Sequence, residues 1–280
     1  MADKTNIDSF LDQVPPLNKS GKVVGPAWEK MEPILKGILA QGADAITGLI
    51  DRLNEVDDGR DYPARYLLHG LAVYLGRSDQ GKSRGVYQRA LLAALASDWP
   101  ESVREFLVRQ IQVAGGAEAV PELARSLGSQ KLRGPAIAAL VAIGGTEAVG
   151  VLRKALENGG ASDDRLALVQ ALGSFGDAGA APALRSAAAG DDEPVADLAL
   201  WALAEMGDAG AVGLAIKAAE ATGSRRTRAT DACLLLAERL AAAGKKEPAG
   251  RLYRHLRQSR TDPKENYVRE AAERGLAAIG

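Results

Sequence analysis

From Ala43 onward the apolar residues of the chain fall at helical spacing, in segments that share one frame. Arg65 precedes Gly76 by eleven residues, and the same step links Arg104 to Gly115, Arg133 to Gly144, Arg165 to Gly176 and Arg269 to Gly280. Ala196 stands in the arginine place eleven residues before Gly207, and Arg228 heads a longer segment that ends near Gly244. A period of this kind predicts a helical repeat array rather than a single closed core. With the arginine as position zero and about 100° of turn per residue, positions +3, +7 and +10 share one face. Leu68, Leu107, Ala136, Leu168 and Ala199 fill +3, and Ala72, Ile111, Leu140, Leu172 and Leu203 fill +7. Leu75, Ala114, Ile143, Phe175 and Met206 fill +10, so this face is the expected core. Positions +1, +5 and +8 lie opposite and are expected to face solvent.

A second phrase follows most of the glycines. It reads Gly-Gly-Ala-Glu-Ala-Val at 115–120, Gly-Gly-Thr-Glu-Ala-Val at 144–149, Gly-Asp-Ala-Gly-Ala-Ala at 176–181 and Gly-Asp-Ala-Gly-Ala-Val at 207–212. Each opens a short helix with leucines on one side, and each leading glycine is expected to end the preceding helix in a left-handed cap. Clusters of Gly, Asp and Ser turn the chain inside each hairpin and cap the next helix. The implied helical hairpins are about 43–75, 82–114, 117–143, 146–175, 178–206, 209–243 and 245–279. Ahead of them, residues 1–25 are polar and broken by Pro15-Pro16 and Gly25-Pro26, which predicts a loosely ordered arm. A helix then runs from about Ala27 to Ala40 on Trp28, Met31, Ile34, Leu35 and Ile38. Residues 26–280 are read as one domain.

The residues Val268-Arg269, Ala271-Ala272 and Ile279-Gly280, with Ala139-Leu140 and Ile143-Gly144, resemble the second helix of HEAT repeats. The short spacing of the glycines is similar to the subset named after phycobilisome lyases. The resemblance covers roughly residues 43–280. It implies an all-α fold, an α-solenoid wound as a right-handed superhelix of about seven hairpins plus the N-terminal helix. It also implies that second helices line a concave groove and that the arginine column makes structural hydrogen bonds.

In that frame the groove columns are Tyr66, Glu105, Gly134, Leu166 and Asp197 at +1, and Gly70, Arg109, Ala138, Gln170 and Trp201 at +5. Position +8 holds Val73, Gln112, Val141, Gly173 and Ala204. Tyr66, Glu105, Arg109, Gln170, Asp197 and Trp201 are therefore the candidate binding residues. Trp201 is singled out because an exposed tryptophan often anchors an interface. The alternative is that it folds over a neighbouring helix and fills space. Small residues such as Gly134, Ala138, Gly173 and Ala204 would leave room for a partner side chain.

Composition supports packed helices: aromatics make up 4% of the chain and there are 31 glycines. The net charge of −1 argues against wholesale nucleic-acid or membrane binding, but residues 225–280 carry 13 basic and 7 acidic side chains. Arg225 and Arg226, with Arg251, Arg254 and Arg257, form a candidate basic patch that Arg260 would extend. A solvated terminal repeat explains the same charges. One cysteine, Cys233, excludes a disulfide framework, and two distant histidines, His69 and His255, offer no metal cage and no nucleophile–base pair. The paired His-Glu motifs of iron-holding HEAT hydroxylases have no counterpart. Gly76-Arg77-Ser78-Asp79-Gln80-Gly81-Lys82-Ser83 fits the phosphate-loop pattern, yet the frame makes the preceding segment a helix, where that loop needs a strand. It is read as an inter-repeat turn. No catalytic residue and no cofactor is expected. No apolar run reaches membrane-spanning length and Met1–Thr5 lacks a signal core, so a cytoplasmic protein is expected, or an exported one with its signal removed. The expected function is a non-catalytic protein-binding scaffold. The alternatives are nucleic-acid or acidic-partner binding through the basic C-terminal repeats and, ranked last, an accessory role in bilin attachment.

Overall fold

A computed structural model of the chain describes residues 5–15, 28–55, 59–77 and 81–280, with side chains from residue 7 onward. Among these residues there are helices, turns and loops and no strand. The chain is an all-α helical-repeat protein of the α-solenoid class. It divides into two compact units, Met1–Ala148 and Val149–Gly280.

The first unit holds α1 (Thr5–Leu11), α2 (Trp28–Ala40), α3 (Ala43–Ile50), α4 (Tyr62–Arg77), α5 (Gly81–Leu95), α6 (Glu101–Ala114), α7 (Val120–Ser126) and α8 (Gln130–Ile143). α3–α4, α5–α6 and α7–α8 are the expected hairpins. Their second helices pack side by side, α4 on α6 and α6 on α8, and α3 packs on α5. Helix α2 lies against α3 and α4 and buries Met31, Ile34, Leu35 and Ile38. Trp28 stays exposed at its start, below the Arg77 guanidinium and beside the Tyr74 ring. Part of the segment expected to be a loose arm is ordered. Ile7 and Val14 are buried, and a Cβ on Gly48 would come within 3.1 Å of Ile7, so the small residue makes the docking place for α1.

The second unit continues the pattern with α9 (Gly145–Glu157, whose first residues belong to the first unit), α10 (Ser162–Phe175), α11 (Ala181–Ala188), α12 (Glu193–Glu205), α13 (Val212–Ala219), α14 (Gly223–Ala242), α15 (Lys246–Ser259) and α16 (Asn266–Ile279). Second helices again pack together, α10 on α12 and α12 on α14. The phrases at 178–180 and 209–211 are single 3-10 turns that lead into α11 and α13.

The core columns behave as the helical frame requires. Every +3 and +7 residue is buried. At +10 only Leu75 and Ala114 are; Ile143, Phe175 and Met206 sit half-buried at or beside helix ends. The +8 column does not face solvent as expected. Ala204 is buried, and Gly173 is where α10 meets α12: a Cβ there would lie 2.9 Å from the Ala202 Cβ. The small +8 side chain allows close helix packing rather than leaving room for a partner. Glycines at positive φ stand at the helix ends at Gly144, Gly176, Gly207, Gly244 and Gly280, and Gly176 is a left-handed cap. Gly115 instead keeps an extended backbone, and its role is close approach: a Cβ would fall 2.4 Å from the Ile111 carbonyl oxygen. Gly76 lies inside α4.

Two arginines of the column, Arg65 and Arg133, make local ties, while Arg165 reaches Asp192 of the next hairpin at 3.6 Å. Arg65 donates to the Asp61 carboxylate at 2.7 Å and to the Asn54 carbonyl at 3.1 Å, and Arg133 donates to the Leu127 carbonyl at 2.8 Å. Each fastens the loop of its own hairpin. Arginines in the first helices, which the glycine frame does not mark, add a second set. Arg153 donates to the Gly179 carbonyl, and Arg185 donates to both oxygens of Asp208 at 2.9 Å.

Candidate binding cleft

The candidate residues divide between the units. In the first, Tyr66 is half-buried and its ring meets Tyr62 at 5.7 Å, while Arg109 is paired with Glu105 one helical turn away at 2.7 Å. Such exposed i,i+4 pairs contribute about 0.3–0.5 kcal/mol and leave both charges wet. In the second unit, Gln170 is exposed on α10, and Asp197 and Trp201 lie one turn apart on α12.

Asp197 and Trp201 belong to a cleft of about 510 Å³ between α12 and α14. α12 supplies Pro194, Asp197, Leu198, Leu200 and Trp201; α14 supplies Arg228, Ala229, Asp231 and Ala232. The volume lies in the range of ligand-sized sites, about 300–1,000 Å³. The floor is apolar and closed, since Leu200, Ala229 and Ala232 are buried. Trp201 is 40% exposed, so part of its ring faces solvent.

Asp197 is not the free groove carboxylate its column implied. Arg225 donates from Nε to its Oδ1 at 3.2 Å, and Arg228 reaches its Oδ2 from Nε at 3.0 Å and from Nη2 at 2.9 Å. Its side chain is only 12% exposed. Arg225 also meets Glu193 at 2.9 Å. Of the carboxylates in or beside the cleft, Asp231, on the α14 wall, and Glu205, one turn beyond Trp201 on α12, have no ion pair among the described residues. Neither was marked by the eleven-residue frame: Asp231 is at +3 from Arg228, a core position elsewhere, but α14 begins five residues before Arg228 and its faces are displaced.

The candidate basic patch separates into two groups. Arg226 is bound to Glu265 through two hydrogen bonds of 2.8 and 2.9 Å and donates to the Ser259 carbonyl. Arg260, which the spacing placed on the exposed stripe, is fully buried and donates to the Ala219 carbonyl and to Thr230 Oγ1, both at 2.8 Å. Arg251, Arg254 and Arg257 are exposed on α15 and have no ion pair among the described residues. Burial pushes the Arg260 guanidinium below its ordinary value, and repulsion from Arg226 adds to this. The hydrogen bond from Arg226 is the main influence that holds the Glu265 carboxyl below the usual glutamate range.

Groups with nucleophilic or basic chemistry are dispersed. The Cys233 thiol is buried, and desolvation pushes it up to about 12, so it is protonated at neutral pH. His69 is exposed, with Nδ1 3.0 Å from the Gln110 side-chain oxygen, and His255 is held below its ordinary value by burial and then by Arg260. No group of three or more His, Cys, Asp or Glu residues among those described has metal-binding geometry. In the phosphate-loop match, residues 78–80 lie outside the described residues; Gly76 and Arg77 end α4, and Gly81–Ser83 begin α5. A helix thus stands where that loop needs a strand.

Stacked helical hairpins whose second helices pack side by side define the class of helical-repeat proteins. Within that class, residues 89–173 match the family described as HEAT repeats, the family that the Val-Arg, Ala-Leu and Ile-Gly phrases resemble. No curated protein matches the chain in sequence. Among solved structures, an engineered protein is 18% identical, with 98% of this chain and 89% of that one covered and a TM-score of 0.44. The complex of CpcE and CpcF of phycocyanin lyase from Nostoc sp. PCC7120 is 18% identical over 95% of this chain and 100% of that one, with a TM-score of 0.43. Human deoxyhypusine hydroxylase in complex with glycerol is 18% identical over 99% and 96%, with a TM-score of 0.34. No helix among the described residues is long and apolar enough to cross a membrane.

Proposed function

We propose that the chain is a non-catalytic scaffold that receives a segment of a protein partner in the cleft between α12 and α14. The observation that carries this reading is Trp201, exposed beside a buried apolar floor and held at the wall of a 510 Å³ cleft. A rigid aromatic over an apolar floor supplies large contact area at low entropic cost, which is how tryptophan comes to anchor interfaces. The Asp197–Arg225–Arg228 cluster fixes the rim, so the cleft is pre-formed and little ordering is needed on binding. Tyr66, Glu105, Arg109 and Gln170 lie outside this cleft and are not part of the proposed site.

The test is affinity purification with the wild type and with Trp201→Ala, with contacts located by cross-linking. The expected result is loss of the partners whose cross-links fall on α12 and α14. Equal recovery with the variant removes the reading.

A second reading has one observation of its own. Arg251, Arg254 and Arg257 are exposed on α15, with no ion pair among the described residues, which suits an anionic partner such as nucleic acid. Salt-sensitive mobility of the protein with DNA or RNA, abolished by changing all three to glutamine, would support it; unchanged mobility at low salt removes it. A cytoplasmic location remains part of the proposal.

A further inference from the structure

Four carboxylates, Glu193, Asp197, Glu205 and Asp231, are arranged around or beside the Trp201 cleft, against the guanidiniums of Arg225 and Arg228. Both arginines are already committed, Arg225 to Glu193 and Asp197, and Arg228 to Asp197. The pairing leaves Glu205 and Asp231 without a cation among the described residues. Glu205 is one helical turn from Trp201 on the same face of α12, and Asp231 stands across the cleft on α14. Negative charge without an ion pair therefore stands on the wall across from Trp201 and one turn along its own helix, over an apolar floor, with Arg228, already bound to Asp197, as the cation lining the cleft.

We infer that the occupant of this cleft is a cationic peptide segment, with a lysine or arginine side chain laid over Trp201. The inference rests on the cleft being the docking site. The chemistry of the three walls is matched by one kind of side chain. The methylene stem of a lysine or arginine covers the apolar surface of Leu198 and the indole, and its charged head is held at the rim. A cation over an indole face is attracted by the ring quadrupole. Asp231 or Glu205 then accepts its hydrogen bonds. An acidic segment meets the opposite: the two arginines that would receive it have their donors turned to Asp197 and Glu193, and two free carboxylates repel it.

The experiment is selection from a displayed library of random dodecamer peptides, run in parallel on the wild type, Trp201→Ala and the double variant Glu205→Gln/Asp231→Asn. Selected peptides are then synthesised and titrated at two salt concentrations. The expected result is wild-type binders enriched in lysine and arginine. Their affinity should fall at least tenfold with Trp201→Ala, several-fold with the double variant, and further with salt. Binders that depend on Trp201 without basic enrichment, or with acidic enrichment, overturn this inference and leave the cleft as the docking site. Binders indifferent to Trp201, or none at all, overturn both. Glu205 and Asp231 are exposed, so the double variant keeps the experiment decisive if Trp201→Ala is poorly folded.

Discussion

Arg260 is a fully buried charged group of the second unit, and its removal has a calculable cost. Its side chain is fully buried, yet it stands at the end of α15 and reaches back to the end of α13 and the second turn of α14. The carbonyl of Ala219 is one of the last of α13, an orphan acceptor that the helix cannot satisfy itself, and Arg260 supplies its donor. Arg260→Ala leaves that carbonyl and the Thr230 hydroxyl without this donor and opens a cavity the size of the side chain. A buried acceptor left unsatisfied costs about 1–3 kcal/mol, and breaking a buried charge network costs about 3–5 kcal/mol in total. A loss of roughly 4 kcal/mol is expected, about 14 °C in Tm for a unit of this size. In a repeat array the damage should be local, so hydrogen exchange should show α15 and α16 losing protection first. Arg260→Met, which restores volume but no donor, should recover part of the loss. Urea denaturation followed by helical circular dichroism gives the free energy. A variant within about 0.5 kcal/mol of the wild type, or protection lost equally along the chain, would refute the assignment of Arg260 as the fastener of the terminal hairpin.

Glu265 should confer an acid limb on stability. Its folded carboxyl is held below the ordinary value of 4.5 by Arg226, so its contribution is present above that value and is lost as pH falls through the lower folded one. Glu265→Gln should flatten the decline in Tm below about pH 4.5, and an unchanged pH profile counts against the pair. Gly173→Leu should separate α10 from α12, because even a Cβ would lie 2.9 Å from Ala202; overpacking of this kind costs about 1–3 kcal/mol, read by thermal melting. Cys233 should resist thiol reagents at pH 8 in the native protein and react in urea, since its thiol is buried and pushed up to about 12; rapid native labelling would show that α14 opens readily.

The eleven-residue step was sufficient to locate all seven hairpins, because in most second helices it records both ends in one-dimensional terms: an arginine in the first turn and a glycine at or near the terminus. Trp201 was legible for the same reason, since +5 is the most outward column. Relations between helices were not. Asp197 meets arginines 28 and 31 residues away, and nothing in the periodicity of α12 announces them. Arg260 was misplaced because a three-residue spacing was extended past the end of α15, where the backbone leaves the helix and turns the side chain inward. The +8 column was misread because a helix in a stack has neighbours on two sides, which narrows the solvent face to less than half of its circumference.

The two irregularities of the frame meet at the cleft. At position 196 the array has alanine where other second helices have arginine, and α14 begins five residues ahead of its frame arginine. That added turn carries Arg225, and the frame position carries Arg228; both turn toward Asp197, beside the missing arginine. Arg228 is 58% exposed, so it remains the one cation facing an incoming segment. Its charge therefore opposes a basic ligand even as it orders the rim. At roughly 7 Å in water two like charges repel by about 0.6 kcal/mol. Arg228→Gln should thus strengthen binding of a selected basic peptide about threefold, the reverse of the loss expected for Asp231→Asn. Titration of both variants with one peptide at low salt decides between the charge account and a merely structural role for the rim. If Arg228→Gln weakens binding as Asp231→Asn does, the rim acts through its order, and electrostatic selection of a cation is not the basis of recognition.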